Sequence, residues 1–301
     1  MIGIMDTGLR RLRYFSVLAD HLNYRRAAAQ LSMTQPALSR AISQLEADLG
    51  VRLFDRTNRT VALTLAGETF LLGCRNALAL LDGAVNQAHK VALGEAGKLA
   101  IGYTDIAISG RLSEIVRSFR SRYSDVTVTL SQEFTEAQIR LLENGDIDVG
   151  FITTPIDVED IETIPVQEDR FVAVLYASHP LVQKSRITLR DLADEHFVLG
   201  TSSNWRIYHD QLFRVCQAAG FEPNVVQQAP ESQGIIGLVA CGMGVSIQTE
   251  NLKSLGGERV VFRRIDDCDE KVVTSAAWNI RFPNPTSQRF MRYVKERFQL
   301  N

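Results

Sequence analysis

Nothing in this 301-residue chain is apolar for long enough to span a bilayer, and its first residues show no hydrophobic segment followed by a cleavage site. Those absences argue against a membrane or exported protein and point to the cytoplasm. Cysteine is scarce. Cys74, Cys216, Cys241 and Cys268 lie far apart with no metal-ligand spacing, so neither a disulfide framework nor a cysteine metal centre is expected, and nothing singles out a redox-active pair. The five histidines are isolated and lack metal spacing too. His179 precedes a proline in a strand-end turn, and no serine or cysteine nucleophile pairs with it on sequence grounds. Gly237 and Gly242-Met243-Gly244 follow a helix rather than open one, so a helix end and turn explain them without a phosphate loop. No catalytic constellation, metal or cofactor is expected.

Lysine is missing altogether from residues 1–65, where nine arginines stand against five acids, a net charge of +4. The other 24 basic and 30 acidic residues leave −6, although the whole chain carries only −2. Positive field concentrated at one end is what phosphate binding requires, and an acidic remainder is repelled from a duplex. With 45% apolar and 23% charged residues, the chain has a globular composition and length for two or three domains.

Residues 23–45, NYRRAAAQLSMTQPALSRAISQL, describe two short helices joined by a tight turn. In the second, Leu38, Ala41, Ile42 and Leu45 recur at helical spacing and face a core, which leaves Ser39, Arg40 and Ser43 on the opposite side. Thr34 is the expected N-cap, with Gln35 beside it and Pro36 tolerated in the first turn. In the first helix Ala27, Ala28 and Leu31 permit close crossing. Asn23 caps it, and Arg25 and Arg26 sit where the helix dipole disfavours cations unless an external polyanion is present. Short hydrogen-bonding side chains plus an arginine on one helical face suit a DNA major groove. An ordinary helical hairpin with a solvated polar face is the alternative.

From Leu9 to Leu72 the chain resembles the DNA-binding domain of LysR-type transcriptional regulators. The matching residues are Leu12-Arg13-Tyr14-Phe15, Ala27-Ala28 with Leu31, Thr34 to Ser39, Ile42, Leu45-Glu46, Leu49-Gly50, Leu53-Phe54-Asp55-Arg56, Leu63-Thr64 and Ala66-Gly67. The resemblance implies a winged helix-turn-helix over 7–64, with the helix-turn-helix at 24–43. Leu53 to Leu65 reads as a hairpin, the wing, whose Arg56 and Arg59 would reach phosphates or the minor groove. The residues expected to meet DNA are therefore Arg25, Arg26, Thr34, Gln35, Pro36, Ser39, Arg40, Ser43, Arg56 and Arg59.

Residues 65–94 read as a long linker helix. Phe70, Cys74, Ala77, Leu78, Leu81, Val85, Ala88 and Ala92 form a stripe that nothing else in the segment covers, which predicts pairing with a second subunit. Gly94 to Gly97 is expected to end the helix as a hinge. From Lys98 strands and helices alternate as βαβαβ through Ile152, hence a parallel sheet with helices on both faces. A second series starts at Asp169, and Lys271 to Trp278 and Thr286 to Phe298 supply a closing strand and helix. The family returns these to the first lobe. The expected fold is α/β overall: an N-terminal all-α winged helix-turn-helix, the linker helix, and a C-terminal two-lobed α/β effector-binding domain over 98–301, like a periplasmic binding protein. Lobe I would take 98–168 and 271–301, and lobe II 169–270.

In open parallel sheets ligands bind beyond the carboxyl ends of the strands, against loops and helix N-termini. Four loops qualify here, and from them Tyr103, Thr104, Asp105, Ile106, Thr135, Thr153, Thr154, Ser202, Ser203, Asn204 and Trp205 are the expected effector-binding residues. Hydroxyls with helix N–H groups suit a carboxylate, and Trp205 suits an apolar ligand part. The same hydroxyls also suit plain helix caps. Thr135 to Gln138 and Tyr176 to Leu181 resemble the family branch that controls aromatic-compound catabolism, in which Thr135 corresponds to a residue holding the effector carboxylate. Asp105-Ile106 departs from that branch. Asp105 would oppose a carboxylate unless it faces away, so an effector with an amine or hydroxyl competes. The expectation is a dimeric or tetrameric DNA-binding transcriptional regulator that senses a small molecule, with an aromatic or other carboxylate as one candidate, and alters promoter binding and bending. Its partners would be double-stranded promoter DNA, the effector, further copies of itself and RNA polymerase. A solute-binding protein would leave the basic front end unexplained, and an enzyme on the same lobes would need an acid, base or metal cluster near the loops.

Overall fold

A computed structural model describes residues 8–56 and 60–300, which divide by their contacts into two units, 1–89 and 90–301. In the first unit, helix α1 (Leu9–His21) stops where Leu22 turns left-handed, at φ +47°. Helix α2 (Tyr24–Gln30) is capped by Asn23, whose Oδ1 accepts the Arg26 N–H at 3.0 Å. Helix α3 (Gln35–Leu49) carries Pro36 in its first turn and ends at Gly50, φ +69°, the left-handed cap that glycine adopts without strain. The apolar spacing does what it predicts. Leu38, Ile42 and Leu45 are fully buried among Phe15, Leu18, Ala27 and Leu53, each stabilising the unit by about 1.5–3 kcal/mol. The Phe15 ring lies 5.4 Å from that of Phe54 and 5.3 Å from that of Phe70, which joins α1 to both the wing and the following helix.

The wing pairs strand β1 (Phe54–Arg56) with β2 (Val61–Leu63). Glu46 of α3 fixes its base, because one Oε1 accepts the N–H groups of Leu53 (2.8 Å) and Phe54 (3.1 Å). Thr64 then opens helix α4 (Leu65–Ala92), its Oγ1 accepting the Gly67 N–H at 2.9 Å and donating to the Arg52 carbonyl. Gly67 is demanded by packing. A Cβ there would stand 2.1 Å from the Leu53 carbonyl oxygen, a backbone atom that cannot swing aside. Gly67→Ala is expected to destabilise the first unit by about 3 kcal/mol, at the upper end for overpacking, read as an earlier urea midpoint with an unchanged slope.

The stripe expected along α4 divides. Phe70 and Cys74 pack into the first unit's own core, whereas Leu81 and Val85 are exposed, as are Leu65, Leu72, Leu80 and Val91 off that line. The glycine-flanked segment expected as a hinge is pinned within the second unit. Arg289 donates to the Leu93 carbonyl at 3.0 Å and pairs with Glu95 at 3.4 Å, Gly94 abuts the Pro285 carbonyl, and Ala96 and Gly97 already belong to a strand.

That strand, β3 (Ala96–Tyr103), is followed by a single turn α5 (Asp105–Ile108), then α6 (Leu112–Arg122), β4 (Asp125–Gln132), α7 (Thr135–Asn144) and β5 (Val149–Thr154). β3 lies parallel between β4 and β5. Strand β6 (Ile161–Tyr176) is longer than the sequence pattern indicates and serves both lobes. Its first part pairs with lobe I and its second with lobe II. Pro165 obscures it, since proline within a run argues against a strand, but it sits at a register shift opposite Ser275, where the ladder tolerates it. Lobe II adds β7 (His196–Gly200), α8 (Arg206–Ala218), β8 (Asn224–Ala229), α9 (Ser232–Ala240), β9 (Ser246–Thr249) and β10 (Val260–Arg264). β11 (Lys271–Asn279) and α10 (Pro285–Phe298) return to lobe I, where Phe290 packs edge-on against Phe119 at 4.9 Å. The sheet order is β10-β6-β11-β5-β3-β4, with β9 on β6.

Candidate nucleic-acid interface and ligand cleft

Burying Leu38, Ile42 and Leu45 inward leaves the other side of α3 outward. Arg40 and Ser43 are exposed, Ser39 is half-buried, and Thr34, Gln35 and Pro36 are exposed at the helix start. Thr34 holds the N-cap position, yet its side chain makes no capping hydrogen bond. Pro36 has no N–H, and the Ala37 and Leu38 N–H groups bond the Thr34 carbonyl at 3.1 Å, so the exposed Thr34 hydroxyl is not spent on the helix it precedes. Arg25 and Arg26 are exposed on α2. None of Arg25, Arg26 and Arg40 forms an ion pair among the described residues, whereas Arg11 of the same unit is paired with Asp48. Arg56 closes β1, and Arg59 lies outside the described residues. Sequence reasoning missed Glu46 as the residue that sets the wing against α3, because its role is a contact with backbone amides seven and eight positions on.

In the second unit, the loops after β3, β4, β5 and β7 converge. Thr104, Asp105, Ile106, Thr135, Thr153, Asn204 and Trp205 line one cleft between the lobes. Tyr103, Thr154, Ser202 and Ser203 fall outside its lining. Thr154 donates toward Val273 and shares a 2.9 Å hydrogen bond with Ser275, while Ser202 accepts from Gln228 on the surface. Phe134, Glu136, Ile207 and Tyr208 complete the cleft. Ile207 and Tyr208 escape sequence reading because they sit in the first turn of α8, which reads as ordinary amphipathic helix. The walls leave only about 20 Å³ free, room for a water, so an organic occupant requires the lobes to part.

Each wall is positioned by local chemistry. The Thr104 hydroxyl accepts the Ala107 N–H and opens α5. The Thr135 hydroxyl accepts the Thr153 N–H at 3.1 Å, which ties α7 to the end of β5. Buried Gln138 reinforces this by donating to the Glu133 and Phe151 carbonyls, and Gly102 and Gly150 make its room. Trp205 lies against Gly200, where a Cβ would stand 2.2 Å from its ring, and donates from Nε1 to the Pro230 carbonyl at 2.8 Å. The Tyr208 ring meets Trp205 edge-on at 5.2 Å, and burial pushes its hydroxyl well above the usual tyrosine range.

Asp105 lines the cleft with both of its oxygens engaged by backbone amides. One oxygen accepts its neighbour's Ile106 N–H, and the other accepts the Ser232 N–H at 2.7 Å, so a lobe I carboxylate caps helix α9 of lobe II. Asn251 donates to the Ile106 carbonyl and Gln211 to the Thr154 carbonyl, which adds two more polar ties between the lobes.

Burial alone holds the Cys74 thiol up at about 11 and chiefly holds that of Cys216 at about 12, values that suppress the reactive thiolate. The buried His179 imidazole accepts the Leu181 N–H and faces Glu195, a local turn contact. Among the described residues no group of three or more His, Cys, Asp or Glu side chains is arranged to hold a metal, and no helix is long and apolar enough to cross a membrane.

Two family models match the chain. The LysR substrate binding domain covers residues 92–299, and the bacterial regulatory helix-turn-helix protein, lysR family, covers residues 9–68. The chain is 36% identical over 287 residues to the HTH-type transcriptional regulator AlsR of Bacillus subtilis (strain 168), covering 94% of each protein. It is 38% identical over 239 residues to the HTH-type transcriptional regulator CatR of Pseudomonas putida, covering 79% of this chain and 81% of that one. Among solved structures, CbnR, a LysR family transcriptional regulator, superimposes with a TM-score of 0.86 at 26% identity, covering 95% of this chain and 99% of that one. Full-length CbnR complexed with its target DNA gives 0.81 at 27% identity, covering 96% and 99%.

Proposed function

This chain belongs to the LysR family of transcriptional regulators, and on that premise we propose how its two units divide the work. The family consists of DNA-binding regulators with an effector-binding domain, not enzymes. In this reading Gln35, Ser39, Arg40 and Ser43 read base edges in the major groove. Arg25, Arg26 and Thr34 grip phosphates, and Arg56 and Arg59 extend the contact through the wing. Pro36 shapes the helix entry. The observation that carries it is the outward face of α3, where Arg40 and Ser43 are exposed and Arg40 forms no ion pair among the described residues, on a helix whose Leu38, Ile42 and Leu45 are fully buried.

One recognition helix reads few bases, so the functional unit is a pair. The exposed row on α4 and an apolar groove of about 790 Å³, walled by Leu12, Leu49, Val51, Leu65, Phe70 and Ala77, supply the surface for α4 of a second copy. Pairing of dimers into a tetramer would bring four recognition helices to one promoter. A ligand between the lobes then acts by preferring one quaternary arrangement, which changes DNA bending and the access of RNA polymerase.

For the effector itself, Phe134, Trp205 and Tyr208 support an aromatic or otherwise apolar body. The Thr135 hydroxyl and the N-terminus of α7 support a polar end. A carboxylate at that end would stand close to Glu136, in the first turn of the same helix.

Gel-shift titration of the full chain at graded salt tests the DNA half. Duplex binding that falls steeply as salt rises is the expected result. No binding even in dilute buffer would overturn it.

A further inference from the structure

Resting on the sensing cleft proposed above, we infer that its effector presents a protonated amine to Glu136. The Glu136 side chain is largely buried, only 19% exposed, and both of its oxygens are shut off from solvent, yet neither accepts a hydrogen bond from any described residue. The nearest cation, Arg206, reaches Oε1 at 3.7 Å through Nε, too far for a hydrogen bond, and its side chain is 62% exposed to water. A buried acceptor without a donor is costly, more so for a charged group. A ligand N–H directed at it removes that cost.

The surroundings favour the same chemistry. Asp105 adds a second carboxylate to the lining, already saturated by two backbone amides but still negative toward anything in the cleft. Phe134, Trp205 and Tyr208 contribute three aromatic rings, and the faces of such rings attract cations. The Thr135 hydroxyl uses a lone pair on the Thr153 N–H and keeps its own hydrogen for a ligand acceptor. Carboxylate oxygens without donors, beside aromatic rings, recognise ammonium groups. An incoming carboxylate would meet like charge from two sides, with no lysine or arginine among the lining residues and Arg206 already beside Glu136.

Isothermal titration of the full chain with matched probes tests the assignment. 2-Phenylethylamine and 3-phenylpropanoate share a ring and a two-carbon arm and differ in the sign of the terminal charge. The amine is expected to bind at least about tenfold more tightly, as befits one charge-assisted hydrogen bond. Glu136→Gln keeps the volume, and its unliganded melting curve reports folding. It is expected to weaken the amine by about ten- to a hundredfold. Glu136→Asp, which retains the charge, is expected to recover part of that loss and keeps the test decisive if the glutamine variant misfolds. Absence of amine binding at millimolar concentration, tighter binding of the propanoate, or an unchanged amine affinity in Glu136→Gln would each overturn the inference. Propanoate binding that Thr135→Val abolishes would leave the sensing cleft standing and remove only the amine.

Discussion

Arg40→Ala is expected to cut affinity for the cognate operator by about ten- to a hundredfold per half-site while lowering affinity for random duplex only slightly. The asymmetry follows from where Arg40 stands. It lies on the outer side of α3, between half-buried Ser39 and exposed Ser43, without an ion pair among the described residues, so its guanidinium is free to address a base edge. A bidentate arginine contact to guanine discriminates by about 1–3 kcal/mol against the wrong base, whereas a phosphate contact is indifferent to sequence. An operator recovered by selection from a random duplex pool, followed by titration of wild type and variant on operator and scrambled DNA, separates the two. Equal losses on both duplexes would return Arg40 to the phosphate-gripping set. Stability should not change, because the side chain is exposed and makes no packing contribution to the buried row Leu38, Ile42 and Leu45.

The double change Leu80→Asp and Leu81→Asp is expected to convert the protein to monomers and to lower operator affinity by about a hundredfold or more. Leu80 and Leu81 are 76% and 41% exposed in the single chain, a cost that a lone helix does not need to bear. Covered by a second α4, they would hold two recognition helices on one duplex. Two half-sites one helical turn apart, about 34 Å, then bind as one, and loss of the pairing forfeits the effective concentration that linkage provides. Light scattering behind size exclusion reads the mass, and gel shifts read the affinity. Because both side chains face outward, circular dichroism should show an intact fold. A variant that still runs as the wild-type oligomer would place the subunit contact elsewhere.

Much of this architecture could be read directly. The spacing of Leu38, Ile42 and Leu45 assigns the two sides of α3, and the alternation of strands and helices after Lys98 reads as α/β, while its division into two lobes is what the family resemblance implies. Asn23 as a cap is local chemistry, decided within three residues. Where the reading fell short, contacts between distant segments decided the outcome. The Thr34 hydroxyl does not cap the helix it precedes. The glycine-flanked stretch before β3 is held by Arg289, nearly two hundred residues on. Strand β6 runs through Pro165 because a register shift at Ser275 accepts it.

The cleft shows the division most sharply. Helical and strand periodicity and cap chemistry are properties of neighbouring residues, so they place Thr104, Asp105, Thr135, Thr153 and Trp205 on loops at one end of the sheets without any coordinates. Which way a carboxylate faces depends on what the rest of the chain brings to it. Asp105 keeps its charge but has its oxygens engaged by two backbone amides, one of them 127 residues away in sequence, and Glu136, unremarkable in a first helical turn, has both oxygens buried without a donor among the described residues. Desolvation and hydrogen-bond saturation are collective quantities of the folded molecule, and they set the charge that this pocket offers to a ligand.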